Sequence, residues 1–363
     1  MRNRVLRNIC LIVLIVSLPL GSVFALIGRG WVQSGNNTAN IRKLAGLSAT
    51  GYNVIQGSCS DGDDMFYFAF MKKSSERIKI VKMKLDNGEY KLVEKSPMLK
   101  NTYHGNDLAY VSDLGGIEGN DKILITNSID GFTNHITVFD VERMRAESEQ
   151  IVCRYWNDYS ECELYDKGKL QDNPMKLDKL INEKHGFSGI AYDAENERLV
   201  VGLASKHDLM TFRINYMFDE ITLVPTSYII QSRTESTFQG IDCDSEYIYS
   251  CWSPAYGVST VNRIYKYNWQ GKKICKFDID KTYELESLSH IGDKFYGIYH
   301  HSYIHKYTTK KKVVIKSKKK KVWNKAHTKK IRKRRIKIIK VKHKVTWRDA
   351  YVKNLCLSND EAN

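Results

Sequence analysis

The 363-residue chain has 57 Lys plus Arg against 41 Asp plus Glu, a formal net charge of +16, with 42% hydrophobic residues. That length is ample for a large core and excludes one compact globule unless the architecture is modular. The charge is local: Lys310 to Arg348 holds 20 basic residues and no acid, leaving 37 basic against 41 acidic elsewhere, a balance of −4.

The chain opens as a secretory signal does. Arg2, Arg4 and Arg7 precede an apolar run from Ile9 to Leu20, and Val23-Phe24-Ala25 places small residues where signal peptidase needs them. Cleavage after Ala25 is expected. The run is short against the roughly 20 apolar residues that span a bilayer. Cys10 lies inside it without a lipoprotein context. Residues 26–50 form a lead-in to the repetitive part, and the expected location is secreted, with retention at the cell surface.

From residue 51 to 309 one pattern recurs: a polar residue, a small or turn residue, an aliphatic position, a short gap, then an aromatic or β-branched strand. Its five occurrences begin at Gln56, Asn106, Ser188, Gln239 and Glu286, spaced by 50, 82, 51 and 47 residues. In the first, Cys59 replaces the aliphatic residue. Further strand-like runs follow each occurrence, such as Ile78 to Met83 turning at Asp86-Asn87-Gly88 into Tyr90 to Val93, an Asn-Gly hairpin signature. Four strands per roughly 50 residues predict an all-β fold, a β-propeller of five four-stranded blades. The 82-residue interval requires an insertion at about 153–185, read as a surface loop with a short helix around Met175 to Ile181; a sixth, degenerate blade is the competing reading.

The first strand of each blade lines the axial channel, so Gln56, Asn106, Ser188, Gln239 and Glu286 are expected to form a polar ring at a channel mouth. Amides, a hydroxyl and one carboxylate suit hydrogen bonds to a sugar, or ligation of calcium; the bland alternative is that they satisfy strand-end backbone and trapped water. No cofactor is required and no metal cluster is read. Glu286 with His104 is the one pair nominated for acid–base chemistry, so whether the chain is an enzyme stays open, with binding favoured. Gly186-Phe187-Ser188-Gly189 lacks the last glycine of a nucleophile elbow, and Asp278-Ile279-Asp280 has Tyr283 where a calcium loop needs glycine. Seven cysteines follow the cleavage site; Cys153 with Cys162 and Cys243 with Cys251 are close enough to bridge, or all are small core residues.

Residues 310–363 read as a basic C-terminal extension. Lys318, Lys319, Lys320 and Lys321 form a plain charge run. Arg332, Arg334, Arg335, Lys337, Lys340 and Lys342 alternate in part with Ile and Val, which predicts a strand or hairpin with a cationic face. Outside a cell the polyanions on offer are wall polymers, anionic headgroups and acidic glycans. Peripheral association with wall or membrane is expected, with no specific nucleic acid partner.

His104-Gly105-Asn106-Asp107-Leu108-Ala109-Tyr110, Gln239-Gly240-Ile241 and Glu286-Ser287-Leu288 resemble the blade-entry motifs of exported bacterial propellers of the helveticin J and teichoic-acid-biosynthesis-C-like type, over about Gly51 to Lys316. That resemblance implies an exported propeller, and bacteriocin-like secretion as one alternative function. The pattern is more distantly similar to gluconolactonase and strictosidine-synthase propellers, whose metal-dependent members place carboxylates at the channel; this ring has only Glu286. The favoured reading is therefore a surface propeller that binds a glycan or another envelope component, with a secreted carbohydrate-active hydrolase or lyase as the alternative.

Overall fold

A computed structural model describes residues 29–48, 50–72, 77–99, 102, 104–127, 135–147, 151–152, 162–172, 186–203, 208–217, 220–231, 237–253, 261–279, 283–323 and 330–358. The proposed signal segment and the helix expected at 175–181 lie outside them. The chain divides into two units: one made of Met1–His301 with Asp349–Asn363, the other of Ser302–Arg348.

The first unit is a β-propeller. Strand β1 (Arg29–Asn40) leads through a single helical turn, α1 (Ile41–Leu44), capped by the Asn40 side chain on Lys43 N. Blade one follows as β2 (Tyr52–Ser60), β3 (Met65–Lys72), β4 (Arg77–Asp86) and β5 (Glu89–Lys95), paired in that order. Asn87 and Gly88 join β4 to β5 with φ of 50° and 82°, the doubly left-handed turn that matches strand twist. Blade two contains β6 (Leu108–Val111), β7 (Lys122–Asn127) and β8 (His135–Asp140); β9 (Arg145–Ala146) and β10 (Ile151–Val152) share the fourth place along β8.

Part of the insertion is described. It supplies β11 (Glu163–Asp166) and β12 (Lys169–Leu170), and β11 pairs in parallel with the outermost strand of blade three. That blade comprises β13 (Phe187–Asp193), β14 (Arg198–Leu203), β15 (Leu209–Met217) and β16 (Glu220–Ile230). The described insertion strands therefore extend an existing sheet, and five blades is the count. Blade four is β17 (Thr237–Cys243), β18 (Tyr247–Ser253), β19 (Asn262–Asn268) and β20 (Lys273–Ile279). Blade five is β21 (Glu284–Ile291), β22 (Lys294–Trp323), β23 (Lys330–Ser358) and, as its fourth strand, β1.

Two sequence boundaries shift here. The lead-in is not separate from the propeller, because β1 pairs antiparallel with β23 from Trp31↔Ser358 to Asn40↔Tyr351. The extension at 310–363 is likewise divided, since Asp349–Asn363 belongs to the propeller unit. A boundary drawn on charge misses this, because a strand's place in a sheet is set by its hydrogen-bond partner, here more than 300 residues away. The second unit consists of the C-terminal part of β22, 302–323, and the N-terminal part of β23, 330–348, neighbouring strands that carry Lys318 to Lys321 and the Arg332 to Lys342 set.

Among the described residues five hydrophobic clusters fill the propeller, one between each successive pair of blades. Phe66 and Phe68 of blade one meet Tyr296 and Ile298 of blade five. Ile78 and Ile80 meet Ile123 and Phe139; Val138 meets Phe187 and Phe212; Val200 meets Trp252; Cys251 meets Leu285 and Tyr299. Sheets that pack face to face around a full circle need no sixth member. Cys59, Cys162, Cys243 and Cys251 are free, buried core residues, and Cys275 is buried in the core as well. The Cys243–Cys251 bridge is thereby overturned. Cys243 lies opposite Ile248 in the ladder, so Cys251, three residues further along, faces the other side of the sheet and joins a different cluster. Cys153 lies outside the described residues.

Candidate functional site

The recurring polar-small pair of the sequence coincides with a recurring break in the ladder. Register shifts fall between Ile55 and Ser58, Phe187 and Gly189, Phe238 and Ile241, and Leu285 and Ser287; in blade two the inner strand begins only at Leu108, just after Asn106-Asp107. A bulge adds one residue to one strand and re-aims the side chains beside it. The position after each ring residue is Gly57, Asp107, Gly189, Gly240 or Ser287.

Asp107 closes the axis at that level. Its Oδ2 accepts from the backbone N–H of Ile241 at 2.9 Å and of Ile190 at 3.2 Å, its Oδ1 accepts from Ser287 Oγ at 2.9 Å, and the Leu108 N–H also donates. One fully buried carboxylate thus takes donors from blades two, three, four and five. Burial holds this carboxyl well above the usual range, and the hydrogen bonds offset only part of that rise. Blade one completes the contact by omission: a Cβ on Gly57 would stand 2.5 Å from the Asp107 Cα. Glycine at 240 answers the same crowding, since a Cβ there would meet Ser287 Cα at 3.1 Å and Asp107 Oδ2 at 3.2 Å.

The ring residues flank this pin. Gln239 donates from Nε2 to Glu284 Oε1 at 3.1 Å, Gln56 from Nε2 to the Ile55 carbonyl at 3.1 Å, and Ser188 from Oγ to the Gly202 carbonyl at 3.3 Å. Asn106 Oδ1 is buried with no hydrogen-bond partner among the described residues. Glu286 is 7% exposed, and burial, then the charge of Glu284, push its carboxyl well above the usual range. The neighbours of 106, 239 and 286 meet at Asp107, and that of 56 abuts it; Ser188 is spent within its own blade. His104 sits in the turn two residues before Asn106, half-buried.

Beyond the pin, toward the C-terminal ends of the inner strands, lies a recess of about 290 Å³ with residues from all five blades. Ser58 and Asp61, Tyr110, Asp193, Asp242 and His290 represent them. Several of its carboxylates hold the turns that end these strands. Asp61 Oδ1 accepts from Asp63 N and Met65 N, Asp193 Oδ1 from Glu195 N and Asn196 N, and Asp244 Oδ1 from Glu246 N and Tyr247 N. Asp242 and His290 do more: His290 Nδ1 and Asp242 Oδ2 are 2.8 Å apart, and the Asp242 charge outweighs burial to raise the imidazole to about 9. At neutral pH His290 is an imidazolium held in a carboxylate-lined recess. Hydroxyls complete the floor, with Ser58 Oγ 2.6 Å from Ser289 Oγ.

Asp107, Asp242 and His290 escaped the sequence reading. Asp107 had a signal, as the one acid in a position otherwise glycine or serine. Asp242 and His290 follow their ring residues by three and four positions, and nothing short of the fold pairs them.

No protein-family model matches the chain, and no curated protein does. Among solved structures it is similar to the β-propeller domain of Cps50 (Swd1) from Myceliophteria thermophila, at 9% identity and a TM-score of 0.32 over 64% of this chain, spanning 63% of that one. It is similar to the calcium-binding protein regucalcin from Agrobacterium tumefaciens, at 12% identity and 0.35 over 67% of this chain and 81% of that one. A 6-phosphogluconolactonase candidate from Bacteroides uniformis stands at 10% and 0.34, covering 67% and 63%. The fold assignment rests on the strand order and the five inter-blade cores described above.

Proposed function

We propose that the chain is an exported, surface-associated binding propeller of the helveticin J and teichoic-acid-biosynthesis-C-like type, which recognises a glycan or another cell-envelope component in the recess beyond Asp107. What carries this reading is the recess itself: blind, walled by five blades, and lined by hydroxyls, carboxylates and one fixed imidazolium. Acceptors and donors side by side suit a polyhydroxyl ligand, whose every OH both gives and takes a hydrogen bond. The protonated His290 is a donor and not a proton acceptor at neutral pH, which supports recognition over general-base chemistry.

A panel of envelope glycans, with products checked by mass spectrometry, tests this. His290→Ala is expected to weaken the best glycan at least about tenfold, the worth of one charged hydrogen bond. Wild-type affinity is expected to fall as pH rises through about 9, where His290 loses its proton. Since this folded-state value lies above the ordinary 6.5, the His290–Asp242 pair stabilises fully below about 6.5 and ceases to do so above 9, so a folding control belongs at each pH. Unchanged affinity in His290→Ala removes the recess as the binding site, and turnover of the bound glycan removes the binding-only reading.

The second part of the proposal is that the basic strands of 302–348 retain the protein on envelope polyanions. Clustered cations displace counterions, so attachment weakens steeply with salt. Truncation at Lys310 is the wrong test, because it also removes Asp349–Ser358 from blade five. Replacing 302–348 by a two-residue Asn-Gly turn leaves the paired parts of β22 and β23. This variant is expected to bind the glycan normally and to wash off envelopes at a salt concentration where the full chain stays; equal retention excludes the tether.

A further inference from the structure

A second cavity, of about 360 Å³, opens on the face of blade three that looks toward blade four, and it shares no lining residue with the recess at the axis. Strands β14, β15, β16 and β11 supply one wall, and the Trp269-Gln270 turn of blade four supplies the other. Its donors are in surplus. Arg198 is held on three sides: Nε donates to Asp193 Oδ2 at 2.7 Å, Nη2 to the Ser245 carbonyl at 2.6 Å, and the guanidinium lies 3.6 Å from the Trp269 ring centroid. Its Nη1 has no partner among the described residues. Arg213 stands directly opposite Arg198 in the β14–β15 ladder, and no acid pairs with it among the described residues. Like charges in that relation repel. Two residues back along β15, Thr211 Oγ1 lies 2.7 Å from Thr226 Oγ1 and 2.6 Å from Ser227 Oγ. A register shift between Thr211 and Phe212 lets both neighbours reach it. Three hydroxyls share two contacts, so one O–H has no acceptor among the described residues, although Thr211 and Ser227 are only 4% and 6% exposed.

We propose that this cavity binds an oxyanion, the phosphate or carboxylate group of a small hydroxylated ligand, between Arg198, Arg213 and the Thr211 hydroxyl cluster. A guanidinium already fixed by three partners loses little freedom on gripping an anion, and its Nη1 edge offers the donors. Arg213 is exposed and closes from the facing strand, so the anion turns the repulsion of two arginines into attraction for both. The left-over O–H adds a neutral donor. The carboxylates of the cavity stand apart from this cationic end. Glu163 accepts from Tyr165 Oη at 2.6 Å and lies on β11, three strands from Arg198, about 14 Å at the usual strand spacing. Glu197 is exposed on the turn before β14, and neither acid pairs with an arginine among the described residues. An acceptor at the far end suits a ligand whose hydroxyls extend beyond its anionic head.

The test is calorimetric titration of the full chain with glucuronate, glucose 1-phosphate and neutral glucose. At least one of the two acids is expected to bind saturably, one per chain, and at least about tenfold more tightly than glucose, the worth of one charged hydrogen bond. Tighter binding of the phosphate ester assigns a tetrahedral head, and of glucuronate a planar one; either supports the site. Arg213→Gln is expected to weaken the preferred acid at least about tenfold while its ligand-free Tm stays within about 2 °C of the wild type, because an exposed side chain without an ion pair is removed. Arg213→Lys keeps the charge without the two-pronged geometry and is expected to recover part of the loss. Ser227→Ala is expected to weaken binding about threefold and reads the site independently should Arg213→Gln not fold. His290→Ala, in the recess, is expected to bind the acid as the wild type does, which keeps this proposal and the glycan site separable. No saturable binding of either acid, or equal binding of glucose, overturns the proposal. So does full affinity in Arg213→Gln, which assigns the anion to the basic strands of 302–348, or its loss in His290→Ala, which moves it to the recess.

Discussion

Asp107→Ala is expected to be the most damaging single substitution in the propeller. Removing the carboxylate orphans the N–H groups of Ile190 and Ile241 and the Ser287 hydroxyl in a space that the surrounding blades exclude from solvent. Each orphaned buried donor costs about 1–3 kcal/mol, so three cost roughly 3–9 kcal/mol before any cavity is counted. Set against a total stability of about 5–15 kcal/mol, that brings the domain to the edge of unfolding. Asp107→Asn separates charge from shape: it keeps the volume but turns an NH2 toward backbone donors, so it is expected to recover only part of the loss. Urea denaturation measures both. A midpoint for Asp107→Ala within about 1 kcal/mol of the wild type shows that the blades close without the pin.

Gly57→Ala is the second. This glycine does not have the left-handed backbone that would explain it; the demand is space. A methyl group there meets the Asp107 Cα at 2.5 Å and the Asn106 carbonyl at 3.0 Å, backbone atoms that cannot swing aside as a side-chain tip can. Relief requires blades one and two to part at the axis, which also strains the contacts of Asp107. A loss of at least about 3 kcal/mol is expected, a fall in Tm of roughly 6–12 °C. Gly62→Ala is the control. It lies on the turn after β2 with φ of 87° and open space around it, so the substitution should cost only about 1 kcal/mol of backbone strain. Equal losses at both positions would mean that the axis is less crowded than the glycine there implies.

Much of this architecture was legible in the residues. The spacing of Gln56, Asn106, Ser188, Gln239 and Glu286 marked the inner strands, and Asn87-Gly88 marked its hairpin, because turn chemistry and strand alternation are local. What was hidden is what one blade does to another. The polar-small pair signalled a channel lining, yet its small member serves close approach across the axis, and its polar member sits in a bulge that no alternation pattern reveals. The recess was missed for the same reason: Asp61, Asp193 and Asp244 hold local turns, and only the closed ring assembles them around His290. Charge marked 310–363 as one extension although its last strand belongs to a sheet, because Tyr351 and Val352 find their mates in Asn40 and Ala39.

That pairing has a further consequence. The circle is fastened by a clasp whose halves are made first and last: β1 has no antiparallel mate until β23 emerges, and blade five stays one strand short in the meantime. On a vectorially delivered chain this makes completion of the toroid a final, long-range event, slow by the entropy of closing so large a loop. It also sets the start of β1 beside the end of β23, since Trp31 lies across from Ser358. A circularly permuted chain that joins Trp31 to Ser358 by a short turn and opens at Gly62 keeps every blade while turning the clasp into an ordinary hairpin.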